Sequence, residues 1–128
     1  MAQYADVIEI AAPSQAAPGD RVDITVRIQN TYFDTIAIMV GGALEYGVTP
    51  WPGIDFPEYW ANVDRETVFY FSGSFIMPDR KVTIHAYSYW YGTDGDWYFD
   101  DEMTRSVEVA AAPQPAISDF RIVDYVKV

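Results

Sequence analysis

The sequence predicts an all-β domain, an antiparallel sandwich of seven or eight short strands. Three observations carry this. Apolar and polar residues alternate with a period of two through most of the chain, as in Val22, Ile24, Val26 and Ile28 against Asp23, Thr25, Arg27 and Gln29. Turn-forming clusters such as Pro18-Gly19-Asp20, Met77-Pro78-Asp79-Arg80 and Gly92-Thr93-Asp94-Gly95 separate these runs. No segment carries the apolar stripe of an amphipathic helix.

The elements follow in order. Tyr4 to Ile10 is strand-like through Val7, Ile8 and Ile10. Ala11 to Pro18 is rich in alanine and proline, so it is expected to run extended and outside any ladder. Val22 to Ile28 is a strand with one buried face. Thr35 to Val40 places Ile36, Ile38 and Val40 on one side, and Gly41-Gly42 weakens or kinks that strand. A long segment, Gly47 to Glu66, reads as an ordered loop. Pro50, Pro52 and Pro57 lower its unfolded entropy, and one short helical turn is expected within Phe56 to Arg65. Thr67 to Ile76 is a long strand with Phe69, Phe71 and Phe75 on one face, where Gly73 suits a bulge or a close backbone approach. Lys81 to Tyr91 alternates again, and Gly92 to Gly95 is a hairpin connection. The return strand, Asp96 to Val109, is expected to break at Asp100-Asp101-Glu102.

A second connector, Ala110 to Ala116, leads to a strand-like end, Ile117 to Val128. The chain thus divides into an N-terminal arm or strand (1–16), the sandwich (17–110) and a connector with a C-terminal strand arm (111–128). The expected core is Val22, Ile24, Val26, Ile28, Ile36, Ile38, Phe69, Phe71, Phe75, Val82, Ile84 and Trp90.

Composition narrows the function. Of 128 residues, 50% are hydrophobic and 16% aromatic, too apolar for a disordered chain. Cysteine is absent, which excludes disulfide scaffolds, thiolate metal sites and thiol catalysis. The net charge of −11 repels phosphate backbones, so nucleic acid is not an expected partner. One histidine excludes multi-histidine metal sites. No apolar run reaches the ~20 residues of a membrane span, and no secretory signal is visible at the start.

Two stretches resemble a known class. Ala17-Pro18-Gly19-Asp20-Arg21-Val22-Asp23-Ile24-Thr25-Val26 is similar to strand B of prokaryotic immunoglobulin-like domains of the cell-adhesion-related type. Gly73-Ser74-Phe75-Ile76-Met77-Pro78-Asp79-Arg80-Lys81-Val82-Thr83-Ile84 resembles a segment of immunoglobulin-like modules in surface and phage virion proteins. The resemblance spans roughly residues 17 to 109. It implies an immunoglobulin-like sandwich with an adhesive or architectural role, and it transfers no catalytic residue.

The candidate sites are modest. Asp94, Asp96, Asp100, Asp101 and Glu102 form an acidic hairpin without a base. Hard oxygen ligands can hold calcium, which makes Asp94, Asp96 and Asp100 weak metal candidates. Calcium-loop spacing is not met, however, and strand alternation sends Asp100 and Asp101 to opposite faces, so a solvated loop is expected. Tyr87, Tyr89 and Tyr91 share one strand face, and Trp97 and Phe99 share one on the next. Such a strip can stack on sugar rings, pair across strands, or meet a protein partner. Trp51, Phe56, Tyr59 and Trp60 in the long loop either cover the sandwich or reach a partner. His85 is the one possible imidazole base, and no nucleophile motif accompanies it. The protein is therefore expected to be no enzyme and to need no cofactor.

A non-catalytic structural or assembly role follows, with a capsid decoration or tail module of a virion favoured. Single-domain size, missing cysteines, no visible signal and two strand-like ends point that way. A carbohydrate-binding or adhesive cell-surface module is the alternative. The expected partner surface comprises Trp51, Phe56, Trp60, Tyr87, Tyr89 and Trp97, with Phe120, Ile122, Tyr125 and Val126 of the C-terminal arm. A seven-residue connector can extend to ~20 Å, so that arm is expected to add as a strand to a neighbouring copy or another virion or surface protein.

Overall fold

The computed structural model describes residues 2–111, which form eight strands in two packed sheets. The strands are β1 (Ala5–Ala11), β2 (Gln15–Ala16), β3 (Arg21–Asn30), β4 (Ile36–Glu45), β5 (Trp60–Val63), β6 (Val68–Ile76), β7 (Val82–Tyr91) and β8 (Trp97–Val109). One sheet has the order β1-β3-β6 and the other β2-β8-β7-β4-β5. This is an immunoglobulin-like β-sandwich, as expected. The C-terminal arm, with Phe120, Ile122, Tyr125 and Val126, lies outside the described residues.

Alternation explains most of the core. Val22, Ile24, Val26, Ile28, Ile38, Phe71, Phe75, Val82 and Ile84 are buried between the sheets. Ile36, Phe69 and Trp90 were expected there but are only partly buried. All three sit near the end of the sandwich where β3 gives way to β4, and fewer neighbours cover them. The first residues of the chain join the core too: Ala5, Val7 and Ile10 of β1 are buried. A bulge at Ile8 breaks the register with β3, which moves the buried positions of β1 from odd to even numbers.

Several local expectations are corrected. The first connector does enter a ladder, because Gln15 and Ala16 pair in parallel with Glu108 and Val109. Gly41-Gly42 does not break β4, which runs through both. The long segment holds no helical turn; Trp60 to Val63 pairs with Ile36 to Met39 as edge strand β5. Before β5 the chain crosses between the sheets, bridging Gly53 to Ala43 of β4 and Asp55 to Ser74 of β6. That crossing buries Ile54 and Phe56. Two glycines make room: a Cβ on Gly42 would lie 2.8 Å from Ile54 Cδ1, and one on Gly73 would lie 2.6 Å from Phe56 Cε1. Phe56 is thus part of the core, not of a partner surface.

The acidic stretch does not interrupt β8. Ser88 pairs with Asp101 and Tyr89 with Phe99, so Asp100 is the extra residue of a bulge. A bulge turns two consecutive side chains to the same side. Asp100 and Asp101 therefore both face inward, against the expected opposite faces, and both reach β1. Asp100 accepts hydrogen bonds from the backbone N–H groups of Gln3, Tyr4 and Ala5 at 2.6–2.8 Å. Asp101 accepts one from Val7 at 3.0 Å. Arg105 donates to the Ile10 carbonyl at 2.9 Å. The side chains of β8 thus satisfy the edge of β1 that no strand covers.

Candidate functional site: the aromatic outer face

The outer face of the five-stranded sheet is built by alternation and register. On β7, His85, Tyr87, Tyr89 and Tyr91 point away from the core; opposite them on β8 stand Trp97, Phe99 and, past the bulge, Glu102. The facing positions of β4 are small or flexible: Ala37, Met39, Gly41 and Ala43. A Cβ on Gly41 would touch the Tyr89 ring at 3.4 Å, so that ring leans over β4. Trp60 of β5 continues the face beside Met39.

The rings interlock edge to face. Tyr87 and Tyr89 meet Phe99 at 62° and 71°, and Tyr91 meets Trp97 at 64°, with centroids 5.0–6.1 Å apart. This is the favourable aromatic geometry; the rings meet across the two strands and do not lie in one plane. Much of the face remains in water: Trp51, Tyr59, Trp60, Tyr91 and Phe99 are 40–58% exposed.

At one end of the face His85 is clamped. Its Nδ1 lies 2.6 Å from a Glu102 oxygen and its Nε2 2.8 Å from one of Glu45. Trp51, brought in by the long loop, stacks on the imidazole at 4.5 Å. The imidazole is 11% exposed. Burial disfavours its charged form, but the hydrogen bonds and charges of Glu102 and Glu45 outweigh this and hold its pKa above the usual histidine value. With both nitrogens spent, His85 is not free to act as a base. Pairing register places Glu45 opposite Thr83, two residues from His85 along β7 and on the same face. A strand-by-strand reading of the sequence cannot supply that neighbour.

The acidic hairpin is a turn and a cap. Asp94 accepts from the Tyr98 hydroxyl and from the Asp96 amide, which lower its pKa in that order. Asp96 lies in the exposed turn, and the oxygens of Asp100 are spent on β1. Asp6, beside Asp101 and Asp100, is pushed up by burial first and then by those neighbours. Among the described residues, no group of three or more His, Asp or Glu is arranged to hold a metal ion. Nor is any helix there long and apolar enough to cross a membrane.

Of the expected partner residues, Trp60, Tyr87, Tyr89 and Trp97 share this face and Trp51 caps its His85 end. Tyr59, Tyr91 and Phe99 complete it.

No family model matches the chain, and no curated protein matches it by sequence. Solved structures do match in fold. The CARDB domain of a Pyrococcus furiosus protein, solved with di-metal ions, shares 10% identity with a TM-score of 0.58, covering 86% of this chain and 92% of that one. A chain from the human seminal-plasma complex of zinc 2-glycoprotein and prolactin inducible protein shares 14% identity with a TM-score of 0.57, covering 81% and 96%. The Pseudomonas fluorescens alkylpurine DNA glycosylase AlkC, bound to abasic-site DNA, shares 10% identity with a TM-score of 0.61. That match covers 84% of this chain, which spans 31% of AlkC. At such identities the likeness is one of fold, that of an immunoglobulin-like β module.

Proposed function

We propose that the protein is a non-catalytic docking module that attaches to another protein through the aromatic outer face of its five-stranded sheet. The observation that carries this is the patch itself: five large aromatic side chains, 40–58% exposed, gathered beside one sheet of a strongly acidic domain. Contiguous exposed apolar surface of this kind marks interaction sites, and tyrosine and tryptophan dominate the centres of interfaces. The net charge of −11 opposes pairing between two such faces, so the partner is a different protein with an apolar patch and a basic rim. We favour a virion setting, as a decoration or tail component, with a cell surface as the alternative; the sequence resemblance to modules of surface and phage virion proteins supports both.

The test is co-expression with the products of the neighbouring genes, followed by co-sedimentation. The chain is expected to travel with an assembled particle or a surface protein, and the double variant Trp60→Ser, Phe99→Ser to lose this while melting at the same temperature. Unchanged co-sedimentation of the variant, or none of the wild type with any neighbour, overturns the proposal.

A further inference from the structure

A second site adjoins one edge of that face, at the end of the sandwich where β3 gives way to β4. A hollow of about 660 Å³ opens there, in the size range of ligand pockets. Its walls come from separate segments: Tyr4 before β1, Tyr32 in the β3–β4 turn, Asn62 on β5, and Trp90 and Tyr91 at the end of β7. Loops at the end of a sandwich on a rigid frame are the usual place for recognition.

The rings are held before any ligand arrives. Tyr4 meets Tyr32 edge to face at 4.7 Å and Trp90 at 4.9 Å, and Trp90 is itself stacked on Tyr98 at 4.8 Å. Their polar groups are unspent. Among the described residues the Tyr98 hydroxyl is engaged by Asp94, whereas the hydroxyls of Tyr4, Tyr32 and Tyr91, the Trp90 indole N–H and the Asn62 amide make no hydrogen bond. The lining contains Asp34 and no lysine, arginine or histidine. Through Ala37 and Tyr91 the hollow continues into a second one of about 290 Å³, bounded by Tyr59, Trp60 and Trp97.

We infer that this groove binds a neutral oligosaccharide. Sugar rings present flat C–H faces to aromatic walls and hydroxyls to amide, phenol and carboxylate groups, which is the mixture found here. Anionic ligands need a cation in the wall, and none is present there among the described residues. A lipid chain would leave the unspent donors and acceptors without partners, at a desolvation cost. The inference is independent of the docking face, although Trp60, Tyr91 and Trp97 border both.

The test is titration of the full chain with maltoheptaose, cellohexaose, mannopentaose and N-acetylchitohexaose, with 3′-sialyllactose as the anionic comparison. Binding is followed by tryptophan emission and amide chemical shifts. At least one neutral probe is expected to bind with a Kd of about 10 µM–1 mM, shifting residues 30–35, 60–63 and 90–93. Asn62→Ala and Tyr32→Ala should each weaken it about tenfold or more, while Phe99→Ser leaves it unchanged. Melting curves show whether each variant folds, and Asn62→Ala, a change at an exposed side chain, carries the test if Tyr32→Ala does not. The inference is overturned if no neutral probe binds, if the shifts fall on Tyr87 and Phe99 instead, if Asn62→Ala binds as the wild type does, or if 3′-sialyllactose binds as tightly.

Discussion

His85 has both ring nitrogens committed to carboxylates, Glu102 from β8 and Glu45 from β4. Two such bonds are made fully only by the imidazolium, which donates from both nitrogens. Trp51 from the loop and Tyr87 from its own strand flank the ring and carry no charge at neutral pH. Burial opposes protonation, the two carboxylates favour it, and the net shift is upward. A pKa raised in the folded state contributes stability that is full below the unfolded value of about 6.5 and is lost as pH rises through the folded value. The wild type should therefore lose more of its melting temperature between pH 6 and pH 9 than His85→Gln, in which this dependence is absent. Parallel melting curves of the two proteins across that range check it. Equal slopes would show that the clamp stores no charge-dependent stability.

At the scale of elements, β8 does two jobs. Its backbone pairs with β7 and β2, and its inward side chains Asp100, Asp101 and Arg105 close the free edge of β1. Asp100 is decisive, since one carboxylate receives three consecutive backbone N–H groups. Asp100→Ala leaves the partly buried donors of Tyr4 and Ala5 unpaired, at a cost of about 1–3 kcal/mol. The loss should be local. Hydrogen exchange at Tyr4 and Ala5 should accelerate far more than at Val26 or Ile84 in the core, as read by amide exchange on both proteins. A uniform acceleration would mean that β1 is not a separately opening edge.

For the whole molecule, the described residues hold an extensive frame. Both sheets, their closing bridges and a core running from Ala5 to Val107 lie inside residues 2–111. Deletion of residues 113–128 should accordingly leave the melting temperature within about 2 °C of the full chain. If the deleted arm, with Phe120, Ile122, Tyr125 and Val126, serves to add a strand to a neighbour, the truncated chain should lose co-sedimentation while staying folded. Differential scanning calorimetry and the co-sedimentation assay measure the two effects separately. An unfolded truncated chain, or one that still assembles, counts against an exchanged arm.

Alternation along single strands sufficed for the sandwich, for the buried faces of β3, β6 and β7, and for the shared outward face of Tyr87, Tyr89 and Tyr91. A strand's side-chain period is a local property, so the sequence by itself determined these. The same logic misread β8 and could not assign the faces of β1, because a bulge adds one residue and exchanges the faces beyond it. Asp100 and Asp101 became an edge cap for that reason. The burial of Phe56 rests on Gly42 and Gly73, which lie far from it along the chain and on opposite sheets. The His85 clamp and the end groove likewise join residues from separate strands and turns. Only the tertiary structure decided these, since which side chains meet is set by pairing register and sheet packing, and neither is written in the order of neighbouring residues.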